Sequence, residues 1–181
     1  MKHDYKTIRT MITAALGAAF LTICAWISIP FGEIAITMQT FAVFLLSNVL
    51  GGKRTFQALC IYLLLGLTGL PVFTGFRGGV GVILGPTGGY IWGFLLCAGC
   101  DWFQDRFLPG QIAVVILSAI TGMLLCYLCG SLWYAFIYGT GSRSEFTAIV
   151  LKCVLPYLIP DGIKITLALT LAPRIQKQIH V

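Results

Sequence analysis

Six stretches of this chain are almost wholly apolar: roughly 8 to 29, 38 to 50, 54 to 69, 87 to 106, 111 to 136 and 150 to 172. A helix needs about 20 residues to cross the hydrocarbon core of a bilayer, and these segments predict six transmembrane helices. The second and third are short and separated only by "GGKR", which reads as a tight turn with a basic anchor. The fourth and fifth meet at "FLPGQ", where Pro109-Gly110 signals a turn.

Composition agrees with that pattern. Of 181 residues 58% are hydrophobic and only 10% charged, with a mean hydropathy of +0.92, whereas a soluble domain carries charge on about a quarter of its positions. The expected fold is therefore an all-α integral membrane bundle, one domain over residues 1 to 181. No catalytic or nucleic-acid-binding domain fits beside it. The apolar stretch from Ile8 to Ile29 is too long for a signal peptide and lacks a small-residue cleavage site, so the first helix is expected to stay in the mature protein.

The net charge of +6 is best read through the placement of the basic residues. With six spans, Lys2, Lys6, Arg9, Lys53, Arg54, Arg106, Arg174 and Lys177 fall on one side, against Arg77 and Arg143 on the other, with Lys152 near that edge. This bias predicts cytoplasmic termini, and outer loops around residues 30 to 37, 70 to 86 and 137 to 149. Trp133, Tyr134, Phe136 and Tyr138 cluster at the outer end of span five, where aromatic rings favour the interface.

The seven cysteines all lie in apolar stretches. Cys97-x-x-Cys100 and Cys126-x-x-Cys129 have a spacing that suits metal or redox chemistry in loops. Mid-helix, the same spacing puts small apolar side chains on one face, so packing is the expected role. A membrane redox or metal protein is the competing reading.

The outer loop "GLPVFTGFRGGVGVILGPTGGY" concentrates seven of the 21 glycines between residues 75 and 89. Val72, Phe73, Phe76, Val80, Val82 and Ile83 are interleaved with them, which predicts a folded, re-entrant segment rather than a connector. Span four then opens at Gly85-Pro86-Thr87-Gly88-Gly89-Tyr90, with Pro86 expected at the first helical position. Gly88 and Gly89 there would let an anionic or carbonyl ligand approach the helix N-terminus.

Charge inside a span is the strongest chemical signal. Asp161 and Lys164 are i, i+3 on the last span, so both side chains reach one point. Each costs roughly 2.5–3.5 kcal/mol at the bilayer centre, and mutual pairing offsets only part of that. Together they offer an acceptor and a donor to a polar ligand head, and Pro156 and Pro160 free backbone groups nearby. Asp101, Asp105 and Arg106 read as a solvated or interfacial cluster, and Glu33 as exposed. Ala14, Ala15, Gly17, Ala18 and Ala19 form small-x-x-x-small patterns that either pack inside the bundle or, facing lipid, dock another membrane protein. The histidines, His3 and His180, lie at the chain ends, and no nucleotide-binding or metallopeptidase motif occurs, so catalysis is not expected and any ATP-driven step belongs to another chain.

"IAITMQTFAVFL" at 34 to 45, "GLTGLPVF" at 66 to 73, "GPTGGYIWGF" at 85 to 94 and "PDGIK" at 160 to 164 resemble the biotin-specific S components, the BioY family, of energy-coupling factor transporters, over nearly the whole chain. The resemblance implies the six-helix S-component fold, biotin bound from outside, and assembly with a transmembrane coupling protein and two cytoplasmic ATPases. It implies that Asp161 and Lys164 hold the ureido ring, a carboxylate accepting from N–H and an ammonium donating to the carbonyl. Arg77, Gly78, Gly79, Gly88, Tyr90 and Gln39 join them as ligand-binding candidates, with Arg77 attracting the biotin carboxylate. Ala14, Ala15, Ala18 and Ala19 become the face for the coupling protein. One departure is Ile34-Ala35-Ile36-Thr37-Met38-Gln39, where the family commonly has a proline in place of Ala35. An S component for another small vitamin would share the fold and differ in the polar groups of span six.

Overall fold

Long apolar runs with few helix breakers become helices because a chain in lipid must satisfy its own backbone groups. A computed structural model describes residues 2 to 31, 34 to 108, 111 to 139 and 143 to 179, except the side chains of 2 to 6, 143 to 145 and 179. Sequence readings that rest on Glu33, the Pro109-Gly110 turn, His180 and the side chains of Lys2, His3, Lys6 and Arg143 lie outside the described residues.

Seven helices of 11 residues or more are described: α1 (Lys2–Trp26), α2 (Gln39–Leu50), α3 (Gly52–Leu67), α5 (Gly88–Phe107), α6 (Ile112–Tyr138), α7 (Arg143–Cys153) and α8 (Leu155–Ile179), with a single turn, α4 (Val80–Ile83), in the glycine-rich loop. Two-residue strands β1 (Ser28–Ile29) and β2 (Ile36–Thr37) pair antiparallel. Among the described residues three segments are long and apolar enough to cross a membrane, Thr7–Trp26, Ile112–Tyr138 and Phe146–Gln178, while α2 is apolar but shorter.

The predicted segments and the helices differ at their ends for local reasons. The first helix stops at Trp26, three residues short of the predicted end, because Ser28 and Ile29 pair with Thr37 and Ile36. The last predicted span began at 150, but a break at Val154 divides that stretch into α7 and α8. Pro156, which has no N–H to give to the preceding turn, stands just after the break. Similarly α5 opens at Gly88, not at Pro86. The "GGKR" turn is a single residue, Gly51, at φ +88°, a conformation that favours glycine.

The bundle has two distinguishable ends. At one, Asp105 of α5 accepts from the Gly52 N–H at 2.7 Å, and Gln176 of α8 donates to the Asn48 carbonyl at 2.6 Å. At the other, the Trp26 indole closing α1 donates to the Pro71 carbonyl at 2.8 Å. Small residues let helices approach where lipid supplies no hydrophobic drive. A Cβ on Gly17 would lie 2.9 Å from Ala58 Cβ, and one on Gly93 would lie 2.7 Å from Cys126 Sγ, so α1 seats on α3 and α5 on α6.

That packing divides the alanine stripe. Ala14 and Ala18 are buried, at 3% and 1% exposure, whereas Ala15 and Ala19 face outward. The expectation of one four-alanine outer face is corrected accordingly, because the inward side of α1 takes Ala14 and Ala18 into the core and leaves only Ala15 and Ala19 exposed. Asp101 is a second correction. It is 5% exposed rather than solvated, because the α5–α6 contact carries it inward to Ser118. All seven cysteines are free, and Cys97 and Cys126 are packed into that same contact, Cys97 donating to the Gly122 carbonyl. Among the described residues no three His, Cys, Asp or Glu side chains group as a metal site would need.

Candidate functional site

The glycine-rich loop and the β1–β2 hairpin lie together at the α1 C-terminal end of the bundle. Phe73, 1% exposed, turns down against Tyr62 of α3, ring centroids 5.3 Å apart and nearly perpendicular. Gly66 makes room for it, since a Cβ there would sit 2.0 Å from Phe73 Cζ. Above, Phe76 takes a positive φ of 56° that a bulky residue seldom adopts. Its ring stacks on Trp26 at 4.8 Å, which holds it there. Indole N–H groups fix both ends of the loop, Trp26 to Pro71 and Trp133 to the Gly85 carbonyl at 3.0 Å. Trp133, expected in an interfacial belt, thus serves the loop, while Phe136 beside it is 86% exposed.

Beneath this cap is a cavity of about 200 Å³ walled by the first loop, the glycine-rich loop and helices α2, α3, α5, α6 and α8. Pockets for drug-sized ligands begin near roughly 300 Å³, so this one suits a small solute. Its lining includes the pair predicted from sequence. Lys164 Nζ donates to Asp161 Oδ1 at 2.8 Å, with the two residues 8% and 6% exposed. The Tyr127 hydroxyl, from α6, donates to Asp161 Oδ2 at 2.7 Å. Capacity is left over: an ammonium has three donors and each carboxylate oxygen accepts more than one bond. The pair is therefore held in place and still able to bind.

A second polar group lines the same cavity. Gln39, 6% exposed at the start of α2, donates to the Tyr62 hydroxyl at 2.8 Å. Its Oε1 lies 3.4 Å from Thr37 Oγ1 and 3.5 Å from Thr74 Oγ1, linking both loops. Tyr90 lines the wall and donates to the Cys153 carbonyl at 3.4 Å. Arg77 stands exposed at the mouth.

Gly78, Gly79 and Gly88 do not form the cavity wall. A Cβ on Gly78 would meet the Leu70 carbonyl at 2.1 Å, and one on Gly88 the Ile83 carbonyl at 1.8 Å. Gly79, at φ +93°, donates its N–H to Gly66. They fold the cap that closes the cavity. Sequence reading missed Tyr62, Tyr127 and Tyr157, whose one visible mark is a phenol within an apolar run. Tyr157 of α8 donates to the Phe31 carbonyl at 2.8 Å and also approaches that of Ile34, tying the first loop to the helix that bears Asp161.

A buried, paired and unsaturated set of charges under a folded cap, in a bundle this apolar, defines a membrane protein that receives a small polar solute. Comparison with known proteins specifies the class. The family model described as "BioY family" matches residues 1–181, and the chain belongs to that family. A probable biotin transporter BioY of Pyrococcus horikoshii is 38% identical over 164 residues, 90% of this chain and 93% of its own. The biotin transporter BioY of Thermotoga maritima is 37% identical over 173 residues, 94% and 97% of the two chains. The crystal structure of an S-component for biotin from an ECF-type ABC transporter superposes with a TM-score of 0.79 at 26% identity, covering 96% of this chain and 93% of that one. These relatives are named as transporters and not as enzymes.

Proposed function

We propose that this chain is the biotin-binding S component of an energy-coupling factor importer in the cell membrane. The observation that carries the reading is the Asp161–Lys164–Tyr127 group at the base of the cavity in a BioY-family chain. The ureido ring of biotin has two N–H donors and one carbonyl acceptor. Asp161 would accept from a ring N–H and a spare Lys164 N–H would reach the carbonyl, so ligand and site exchange the kinds of bond each can make. Phe73, Tyr90 and Ile36 would pack against the sulfur ring and valeryl chain, and Arg77 at the mouth would draw the carboxylate.

In this proposal α1, α2, α3, α5, α6 and α8 are six membrane crossings, both termini are cytoplasmic, and the cap faces outside. The distribution of basic residues at the span ends and in the loops, eight on one side against Arg77 and Arg143 on the other with Lys152 near that edge, supports that orientation. The ligand would enter as the loops part, and be enclosed as Tyr157 and the two indoles hold them. Release to the inside would need a transmembrane coupling protein and two cytoplasmic ATPases, with the outward-facing Ala15 and Ala19 on the surface offered to the coupling protein.

Calorimetric titration of the detergent-purified chain with biotin, beside Lys164→Ala, tests the reading. Tight binding in the wild type that disappears in the variant is the expected result. A well-folded wild-type protein that takes up no biotin would refute it.

A further inference from the structure

Among the described residues Phe76 is the one non-glycine with a positive φ, and it follows Gly75, whose φ is 71°. A bulky side chain in that region of backbone space is strained, and such conformations persist only where surrounding contacts impose them, characteristically at ligand clamps and switches. The core does not impose this one, because Phe76 is 63% exposed. Its ring lies instead on Trp26, with 29° between the planes. The cost of the backbone conformation and the gain from one aromatic pair are of the same order. The turn is therefore close to balance, and the stack decides which way it lies.

This turn carries the ligand face of the cap. The Phe73 N–H donates to the Arg77 carbonyl at 2.9 Å and closes residues 74 to 76 into a tight loop. Phe73, Thr74 and Arg77 line the cavity, while the Phe76 ring is turned to Trp26. Rotation of Phe76 to negative φ, the relaxed state of any residue but glycine, redirects the chain at the last position of the loop. Arg77 then leaves its register with Phe73, and the three cavity residues move together.

Trp26 is placed to act as the fixed half of the contact. It is the last residue of α1, and its indole N–H holds the Pro71 carbonyl at the start of the same loop. The next residue, Ile27, accepts from the Met38 N–H at 3.1 Å, so the first loop is fixed to the same helix end. We infer that the Trp26–Phe76 stack is the catch of the cap: stacked, it holds Phe73, Thr74 and Arg77 over the bound solute, and unstacked, Phe76 relaxes, the turn opens and the solute leaves. Trp26 and Phe76 are positioning residues, which act on the solute through those three side chains and set its rate of release. The inference deepens the reading of this chain as a biotin-binding subunit and rests on it for the identity of the solute.

Two substitutions at one position separate strain from contact in the whole protein, with biotin release followed by stopped flow and hydrogen exchange of residues 71 to 79 measured without ligand. Phe76→Ala removes the ring and leaves a side chain at positive φ, so release should quicken about tenfold. Phe76→Gly removes ring and strain together, and release should stay within about threefold of wild type. Trp26→Phe, which keeps a ring for the stack and loses the N–H to Pro71, should release more slowly than Phe76→Ala. Exchange of the segment should quicken in the alanine variant and not in the glycine variant. Equal release from the alanine and glycine variants would overturn the inference, and so would equal exchange. A wild-type protein that takes up no biotin counts against the biotin reading alone, and the exchange comparison then decides the catch by itself.

Discussion

Asp161 and Asp101 are almost equally buried, at 6% and 5% exposure, in opposite halves of one bundle, yet they are stabilised differently. Asp161 has a cation at 2.8 Å and a phenol at 2.7 Å, one donor for each oxygen. Asp101 has Ser118 bonded to one oxygen and a second serine, Ser47, beside the carboxylate, with no cation paired to it among the described residues. Burial alone therefore does not say what a charge is for. A carboxylate whose partners are supplied by its own fold is pre-organised for a ligand that brings both donors and acceptors. One served by serine hydroxyls is held by neutral donors within its own helix contacts.

The largest expected effect removes the internal cation. Lys164→Met should destabilise the protein by about 3–5 kcal/mol, because it leaves a buried charge without its partner, and abolish biotin binding. Adding Asp161→Asn should restore most of the melting temperature and none of the binding, as thermal unfolding and calorimetry would show. Recovery of binding in the double variant would break the distinction between the two aspartates. Tyr127→Phe keeps the cavity shape and removes one bond to a charged group, worth about 1.5–3 kcal/mol. Biotin affinity should fall at least tenfold in equilibrium titration, and an unchanged value would remove Tyr127 from the site.

Gly66→Ala tests the cap instead of the charges. A methyl group would collide with the Phe73 ring, and overpacking of this kind costs about 1–3 kcal/mol. Ligand release measured by stopped flow should quicken, while the Asp161–Lys164 pair is left intact. Arg77→Ala should have the smallest effect, at most about fivefold in affinity and fading as salt is raised, because an exposed charge is screened. A larger, salt-independent loss would place Arg77 inside the binding chemistry and not at its entrance.

Which of these features the sequence discloses depends on how far apart the partners are along the chain. Asp161 and Lys164 are three residues apart, and helical geometry alone puts them together. The folded glycine-rich loop is legible for a similar reason, since interleaved apolar residues and glycines are a local pattern. Gln39 was expected at the ligand, but its bond to Tyr62 spans 23 positions, and Tyr127 reaches Asp161 across 34. The solvated reading of Asp101 failed on the same ground, because its burial follows from the rotation of α5 against α6. Ala14 and Ala15 are neighbours in sequence and look interchangeable in a small-residue stripe, yet one is core and the other surface.

By itself the sequence determined that the chain is an apolar helical bundle, roughly where its helices lie, and that a charged pair stands within the last of them. Those properties depend on hydrophobicity and on helical spacing, which act over a few residues. The tertiary structure decided which side chains join that pair, which glycines shape the cap and which aspartate is buried against serines instead of a cation. These depend on how helices far apart in the chain pack and rotate against one another, a balance of many weak contacts that no single stretch of residues encodes.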